Sequence, residues 1–281
     1  MNKVPISVII LTYNEELNFE HCLKSVAGWA GEIIIIDSFS TDKTLEIAKK
    51  YGAQVHQHEF KNQADQFNWA LDSVEIKNNW ILRLDADERL TEELKKEIAE
   101  KLPNIPKEVA GFYIKRRVYF MGRWIKYGGY YPTWILRLFR KGEARSEERE
   151  MDEHIVLLDG KAEKLKNDFI DENHQNLEQW TAKHNRYSGR EASERLKREV
   201  NPHTKNLVGG QAGRKRWIKQ NIYIKLPLFC RAFAYFIYRY IFRLGFLDGR
   251  EGLIFHFLQG CWHQFLIDAK IYEQIYEKNK K

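Results

Sequence analysis

At 281 residues, 43% of them hydrophobic and 14% aromatic, the chain can bury a substantial core, and this composition excludes a disordered protein. Its length allows one large domain or one domain plus an appendage. The three cysteines, Cys22, Cys230 and Cys261, lack paired short spacing, which excludes a zinc knuckle or a disulfide framework and fits a reducing cytosol.

The amino terminus runs into an apolar strand, Ile6 to Leu11, rather than a charged region and a long hydrophobic segment, so no secretion signal is expected. Thr12-Tyr13-Asn14-Glu15 follows as a polar turn in which Asn14 can cap the next helix, where Phe19, Cys22, Leu23 and Val26 keep helical spacing. Ile33-Ile34-Ile35-Ile36 is too continuous for a half-exposed strand, which predicts a central strand covered on both faces and ending at Asp37. Thr44 to Tyr51 reads as a helix stopped by Gly52, and Ala53-Gln54-Val55-His56 as a third strand. This alternation implies parallel pairing through helical crossovers, and open sheets of that kind bind ligands beyond the carboxyl ends of their strands. Asn14, Asp37 and Asp85 all fall there.

Trp80-Ile81-Leu82-Arg83-Leu84 suits a buried strand, and Asp85-Ala86-Asp87-Glu88 follows at once. Asp85 and Asp87, two residues apart, point the same way and repel unless a cation joins them. Mg²⁺ or Mn²⁺ prefers oxygen ligands and often binds through one or two carboxylates plus substrate phosphates. The competing reading is a solvated acidic turn ahead of the helix Thr91 to Leu102, which Thr91 caps and Pro103 and Pro106 end. Gly111 to Val118 and Ile135 to Phe139 read as further strands. Between them, Trp124, Tyr127, Tyr130, Tyr131 and Trp134 either offer a platform on which a ligand's apolar face stacks or fill core volume. Lys141 to Glu150 is almost wholly polar and reads as a loop, mobile near the reaction centre or simply solvated.

The carboxy-terminal third changes character, which divides the chain into residues 1–175 and 176–281. Residues 183–225 hold twelve Lys or Arg against three Asp or Glu. The stretch Phe229 to Phe246 then interleaves aromatic rings with Arg231, Arg239 and Arg243, too much charge for an ordinary spanning helix. A helix lying in a membrane interface tolerates that pattern, and a helical subdomain packed on the core or on a second subunit explains it equally. Nucleic-acid binding is not expected, because no recognition module accompanies the charge.

Four signals occur in order: Thr12-Tyr13-Asn14-Glu15, the turn from Asp37 to Thr44, Asn68 within Gln66-Phe67-Asn68-Trp69, and Asp85-Ala86-Asp87-Glu88. Together they resemble glycosyltransferase family 2, over roughly residues 5–160. Gly128-Gly129-Tyr130-Tyr131-Pro132, the segment Leu136 to Gly142 and Leu244 to Arg250 look more narrowly like its lipopolysaccharide core β-1,4-glucosyltransferase branch. The resemblance implies an α/β fold of the GT-A type, a Rossmann-like nucleotide-sugar domain with a mainly parallel sheet followed by a helical basic and aromatic region. It implies an inverting, metal-dependent transfer of a hexose, glucose by the narrower match, from a UDP-sugar to a lipopolysaccharide core or other cell-envelope glycan. The place would be the cytoplasmic face of the membrane.

By the same resemblance, Thr12, Asn14 and Glu15 line the donor site, Asp37 accepts hydrogen bonds from uracil or ribose, and Asn68 faces the nucleotide. Asp85 approaches the ribose or the metal, and Asp87 holds the Mg²⁺ or Mn²⁺. Inversion needs one base, and Glu153 in Met151-Asp152-Glu153-His154 falls on the family's glutamate, with Asp152 as second choice. Arg137 and Arg140 either clamp phosphate or are outward strand residues. Two other readings compete: a sugar-phosphate nucleotidyltransferase, and a non-enzymatic membrane- or polyanion-binding module on an inactive nucleotide-binding scaffold. A dinucleotide oxidoreductase is disfavoured, since no Gly-x-Gly-x-x-Gly follows the first strand.

Overall fold

The computed structural model describes residues 3–147, 153–200, 223 and 225–280. The chain forms two compact units, Met1–Val118 with Pro132–His174, and Tyr119–Tyr131 with Gln175–Lys281. In the first, β1 (Val4–Thr12), β2 (Ala30–Asp37), β3 (Gln54–Gln57) and β4 (Trp80–Asp85) pair in parallel, linked by α1 (Phe19–Val26), α2 (Thr44–Lys50) and α3 (Gln63–Ser73). The register aligns their carboxyl ends, because Thr12 lies opposite Asp37, Asp37 opposite Gln57, and Leu11 opposite Asp85.

The continuous apolar runs are buried on both faces, as their composition required. Ile6, Val8 and Ile10 of β1 and Ile33 and Ile35 of β2 pack with Phe19, Cys22, Leu23 and Val26 of α1. Their alternate neighbours, Ile9, Ile34 and Ile36, turn to the other face and meet Phe67 and Ala70 of α3. Antiparallel strands extend the sheet: β5 (Glu88–Leu90), β6 (Val109–Phe120), β8 (Thr133–Arg140) and β11 (Lys161–Glu172) complete the order β3-β2-β1-β4-β8-β6-β11-β5. Helix α4 (Glu92–Lys101) follows β5, and the Thr91 hydroxyl accepts from the Leu94 amide at 3.2 Å as the expected cap.

Two local expectations are corrected. Asn14 caps no helix; α1 begins at Phe19 after Asn18, and Asn14 instead takes the left-handed conformation with φ of 53°. Part of the polar segment after Lys141 is a strand, β9 (Ala144–Ser146), pairing with β10 (Ile155–Leu157). Ala144 and Ser146 are buried, which a reading by polarity misses.

In the second unit, residues Tyr119 and Phe120 of β6 turn back through Met121 and Gly122 to pair with β7 (Arg123–Trp124). Helices α5 (Leu177–Val200), α6 (Cys230–Ile237), α7 (Gly249–Phe257) and α8 (His263–Asn279) supply the rest. Asp268 of α8 is fully buried and receives Arg231 Nε at 2.8 Å, Arg231 Nη2 at 2.5 Å and the Phe229 amide at 2.9 Å. Phe229 to Phe246 is not one helix. After α6 come a π-helical turn (Tyr238–Phe242), Leu244 at φ of 60° and a 3₁₀ turn (Gly245–Asp248). The chain can turn there because Gly245 has no Cβ; one would lie 2.9 Å from the Arg239 carbonyl oxygen. Among the described residues no helix is long and apolar enough to cross a membrane.

Candidate functional site

The aligned strand ends of the first unit bring the sequence-predicted residues of β1 and β2 together first. Asp37 is fully buried and its carboxylate accepts from Thr12 Oγ1 at 3.2 Å, the Ser40 amide at 2.9 Å, Ser40 Oγ at 2.5 Å and Gln57 Nε2 at 3.2 Å. Those bonds use the four lone-pair directions of a carboxylate. Asn14 ties the same turn from the other side: its amide donates to Ser40 Oγ at 2.9 Å and its side-chain oxygen accepts from the Thr41 amide at 2.8 Å. The Glu15 amide donates to Thr44 Oγ1 at 2.9 Å, and the Glu15 carboxylate receives Asn18 Nδ2 at 2.7 Å. Thr12, Asn14, Glu15 and Asp37 thus belong to one hydrogen-bonded cluster at the ends of β1 and β2.

The second cluster lies at the end of β4. Asp85 accepts from Arg137 Nη2 at 2.8 Å and lies 3.5 Å from Arg83 Nη2, while Arg137 Nη2 also reaches Glu88 Oε1 at 2.5 Å. Burial alone would push Asp85 up, but the Arg137 and Arg83 guanidiniums outweigh it and hold its carboxyl far below the usual range. Glu88 is shifted the other way, raised by burial and by the Asp85 charge against the pull of Arg137. Arg137 is therefore neither a phosphate clamp nor an outward strand residue; at 5% exposure it is shared between the carboxyl groups of Asp85 and Glu88. Arg140 is also committed, its Nε donating to the Val109 carbonyl at 2.9 Å and its guanidinium lying 4.5 Å over the Trp80 ring.

Asp87 differs from its neighbours. Asn173 Nδ2 donates to its Oδ2 at 3.3 Å, and among the described residues no Lys, Arg or His pairs with it, whereas Asp85, Glu88, Glu153 and Asp171 each face a guanidinium. Asp171 is pushed up to about 6 by burial and by the Asp87 and Asp85 charges, against the opposing Arg116. Among the described residues no three His, Cys, Asp or Glu side chains are grouped to hold a metal on their own. A half-buried carboxylate without a cation beside a second one nevertheless fits a hard dication that takes its other oxygens from phosphate and water.

Glu153 is 12% exposed at the side chain and its Oε1 lies 4.0 Å from Arg83 Nη2, the guanidinium that also faces Asp85. Asp152, the second choice for base, lies outside the described residues. Asn68 spends its amide on the chain: Nδ2 donates to the Ser146 carbonyl at 3.0 Å and Oδ1 accepts from the Ser146 amide at 2.9 Å. It thereby clamps β9, which leads into the segment carrying Glu153. The sequence reading missed Arg83, Glu88, Asp171 and Asn173. A cation inside the apolar run of β4 was the available signal for Arg83, and Glu88 directly follows Asp87; Asp171 and Asn173 arrive by tertiary pairing of β11 with β5.

The family model described as glycosyl transferase family 2 matches residues 7–156. An uncharacterized glycosyltransferase of Rickettsia bellii is 43% identical over 93 residues, 33% of this chain and 31% of that protein. The lipopolysaccharide core biosynthesis glycosyltransferase LpsC of Rhizobium meliloti is 32% identical over 165 residues, 55% of this chain and 58% of its own length. The matched stretch thus spans less than two thirds of either relative. Among solved structures, S. aureus TarS 1–349 in complex with UDP-GlcNAc has a TM-score of 0.49 at 17% identity, covering 98% of this chain and 92% of that one. Glucosyl-3-phosphoglycerate synthase of Mycobacterium tuberculosis, with Mn²⁺, UDP and glucosyl-3-phosphoglycerate, has a TM-score of 0.33 at 22% identity, covering 41% and 44%. With more than half of its length matched by the family model, the chain belongs to glycosyl transferase family 2.

Proposed function

We propose that this chain transfers a hexose with inversion from a UDP-sugar to a lipopolysaccharide core or related cell-envelope glycan, peripherally at the cytoplasmic face of the membrane. The observation that carries the proposal is Arg83, whose guanidinium lies 3.5 Å from Asp85 and 4.0 Å from Glu153 and so ties the base candidate to the Asp85-Ala86-Asp87 end of the sheet. Thr12, Asn14, Glu15 and Asp37 shape the nucleotide end, with Asp37 holding the turn that receives the base and ribose. Asp85, held ionised by Arg137 and Arg83, orients the ribose side of the donor, and Asp87 is the side chain that takes Mg²⁺ or Mn²⁺. Such an ion, when bound, neutralises the charge that develops on the departing diphosphate.

Inversion requires the acceptor hydroxyl to approach the anomeric carbon from the side opposite the nucleotide. Glu153 removes the hydroxyl proton as the new bond forms, and an α-linked donor gives a β-linked product. Asn68 acts one step away, by fixing the strand that leads to Glu153. LpsC supports the acceptor class, and the twelve basic residues of 183–225 suit an anionic envelope surface. The test is a screen of nucleotide-sugars against envelope glycan acceptors, with and without EDTA, for wild type, Asp87→Ala and Glu153→Gln. Release of nucleoside diphosphate with a β-linked product, lost in all three perturbations, is expected. Release of pyrophosphate, or transfer that persists in Asp87→Ala and in EDTA, would overturn the proposal.

A further inference from the structure

Resting on the proposed envelope acceptor, we infer that the second unit docks on an anionic bilayer through the apolar face formed by α6, the turns after it and α7. A water-soluble surface normally scatters its large apolar residues singly and avoids large contiguous apolar patches. Here Phe233, Ile237, Tyr238, Ile241, Phe242 and Leu244 are exposed in succession, and Phe242 reaches 73%. Phe233, Ile237 and Ile241 recur at four-residue spacing along α6 and the turn that continues it, so they share a side. The run continues through the exposed Phe246, Leu247, Leu253, Ile254 and Phe257.

Ring contacts make the face continuous. Phe257 meets Phe236 edge-on at 5.8 Å, Phe236 stacks on Tyr240 at 5.3 Å, and Tyr240 meets Phe246 at 6.3 Å. The two ends of the sequence run are thereby brought onto one surface. The half-buried Phe236 and Tyr240 form its floor, and the exposed rings form its rim.

The charge on this segment identifies the occupant. Between residues 225 and 257 the acidic side chains are Asp248 and Glu251. Asp248 is buried and accepts from the Lys126 and Tyr127 amides at 3.0 Å each, and Glu251 faces Arg123. Two arginines turn inward as well: Arg231 binds Asp268, and Arg239 donates to the Gly128 carbonyl and lies 3.7 Å over the Tyr130 ring. Lys225, Arg243 and Arg250 remain exposed around the apolar residues. One acid drawn inward, the other facing Arg123, and cations left outward beside exposed rings match anionic headgroups above an acyl boundary. A second copy of the chain would present the same positive rim and repel it.

The experiment uses the full chain in flotation with phosphatidylcholine vesicles, with and without an added phosphatidylglycerol fraction. Binding is expected to anionic vesicles, and to weaken with salt. Phe242→Glu and Ile241→Glu should each lower the partition coefficient by about tenfold, because each replaces an inserted apolar group by a charge. Arg243→Glu should lower it at least fivefold, on the order of the contribution of one basic residue at such a surface. Circular dichroism should match wild type in all three variants, since the substituted side chains are exposed. Release of nucleoside diphosphate from the donor in the absence of lipid should be unchanged by Phe242→Glu, which separates failure of the docking face from failure of the transferase assignment. Absence of binding to both vesicle types, equal binding to neutral and anionic vesicles, or a dimer in light scattering that Phe242→Glu dissociates would overturn the inference.

Discussion

Both units bury arginine–carboxylate pairs, yet they use them differently. In the helical unit, Arg231 and Asp268 satisfy each other through several short contacts, and Arg195 is held by Glu191 at 2.6 Å and Gln264 at 2.9 Å. These contacts join α8 to α6 and to α5. In the sheet unit, Arg137 is divided between Asp85 and Glu88, Arg83 faces both Asp85 and Glu153, and Asp87 beside them has no cationic partner among the described residues. A buried ion pair is weak evidence of stability and often no better than an apolar replacement. Incomplete pairing is therefore the informative feature: Arg231 and Asp268 compensate each other in one unit, whereas Asp87 in the other has no cation among the described residues.

The sharpest way to break this contrast is to remove the uncompensated group. Asp87→Ala should lower transfer by about 10³-fold, the range for losing one electrostatic stabiliser of a developing anion, with little change in unfolding free energy. Steady-state transfer and urea unfolding measured on the same preparation check it, and loss of stability equal to that of a buried pair would make Asp87 structural. Next, Arg137→Met should destabilise the protein by about 3–5 kcal/mol, since it takes from the ionised Asp85 its hydrogen-bonded cation. Arg231→Met should cost a similar amount by stranding Asp268. Adding Asp85→Asn to Arg137→Met should restore part of the loss, because it removes the ionised carboxylate that Arg137 compensates.

These residues also mark where sequence was sufficient. The isoleucine run of β2 could only be a strand covered on both faces, and the parallel register then had to bring Thr12, Asp37 and Asp85 to one end. Local periodicity carried that much. Alternation puts Arg137 and Arg140, three apart in β8, on opposite faces, but it could not show their tasks, which depend on β4, β5 and β6. Nor could it show that Asn68 clamps Ser146 across 78 positions, or that Asn173 reaches Asp87. The interrupted course of Phe229 to Phe246 was hidden for a similar reason: the close approach of Arg239 and His256 to Gly245 is tertiary.

A smaller effect tests how tightly one turn inside each unit is packed. Gly52 and Gly128 have nearly the same backbone, with φ of 66° and 67°. A Cβ at Gly52 would meet nothing within 4 Å, whereas one at Gly128 would fall 2.1 Å from His256 Cε1. Gly52→Ala should thus cost only the left-handed backbone term, about 1–2 kcal/mol. Gly128→Ala should add about 1–3 kcal/mol of overpacking to the same term. Equal losses in denaturant unfolding would show that the Gly128 turn yields without strain.

The smallest expected effect is a difference of sign with pH. Asp171 in the sheet unit is raised to about 6, so between the ordinary carboxylate value and 6 the folded state holds a proton that the unfolded chain has released. Its contribution to stability therefore falls as pH rises across that interval. His184 in the helical unit is lowered to about 4, by burial above all and by the nearby His263 and Lys183 charges, against its bond to the Trp180 carbonyl. Between about 4 and the ordinary histidine value the unfolded chain holds the extra proton, so this contribution grows as pH rises. Asp171→Asn should remove the first slope and His184→Gln the second, each read as the difference from wild type in unfolding free energy between pH 4 and pH 7. Slopes of the same sign for both variants would mean that one of these side chains is solvated in the folded protein, and the contrast between a site that stores charge and a bundle that excludes it would fail there.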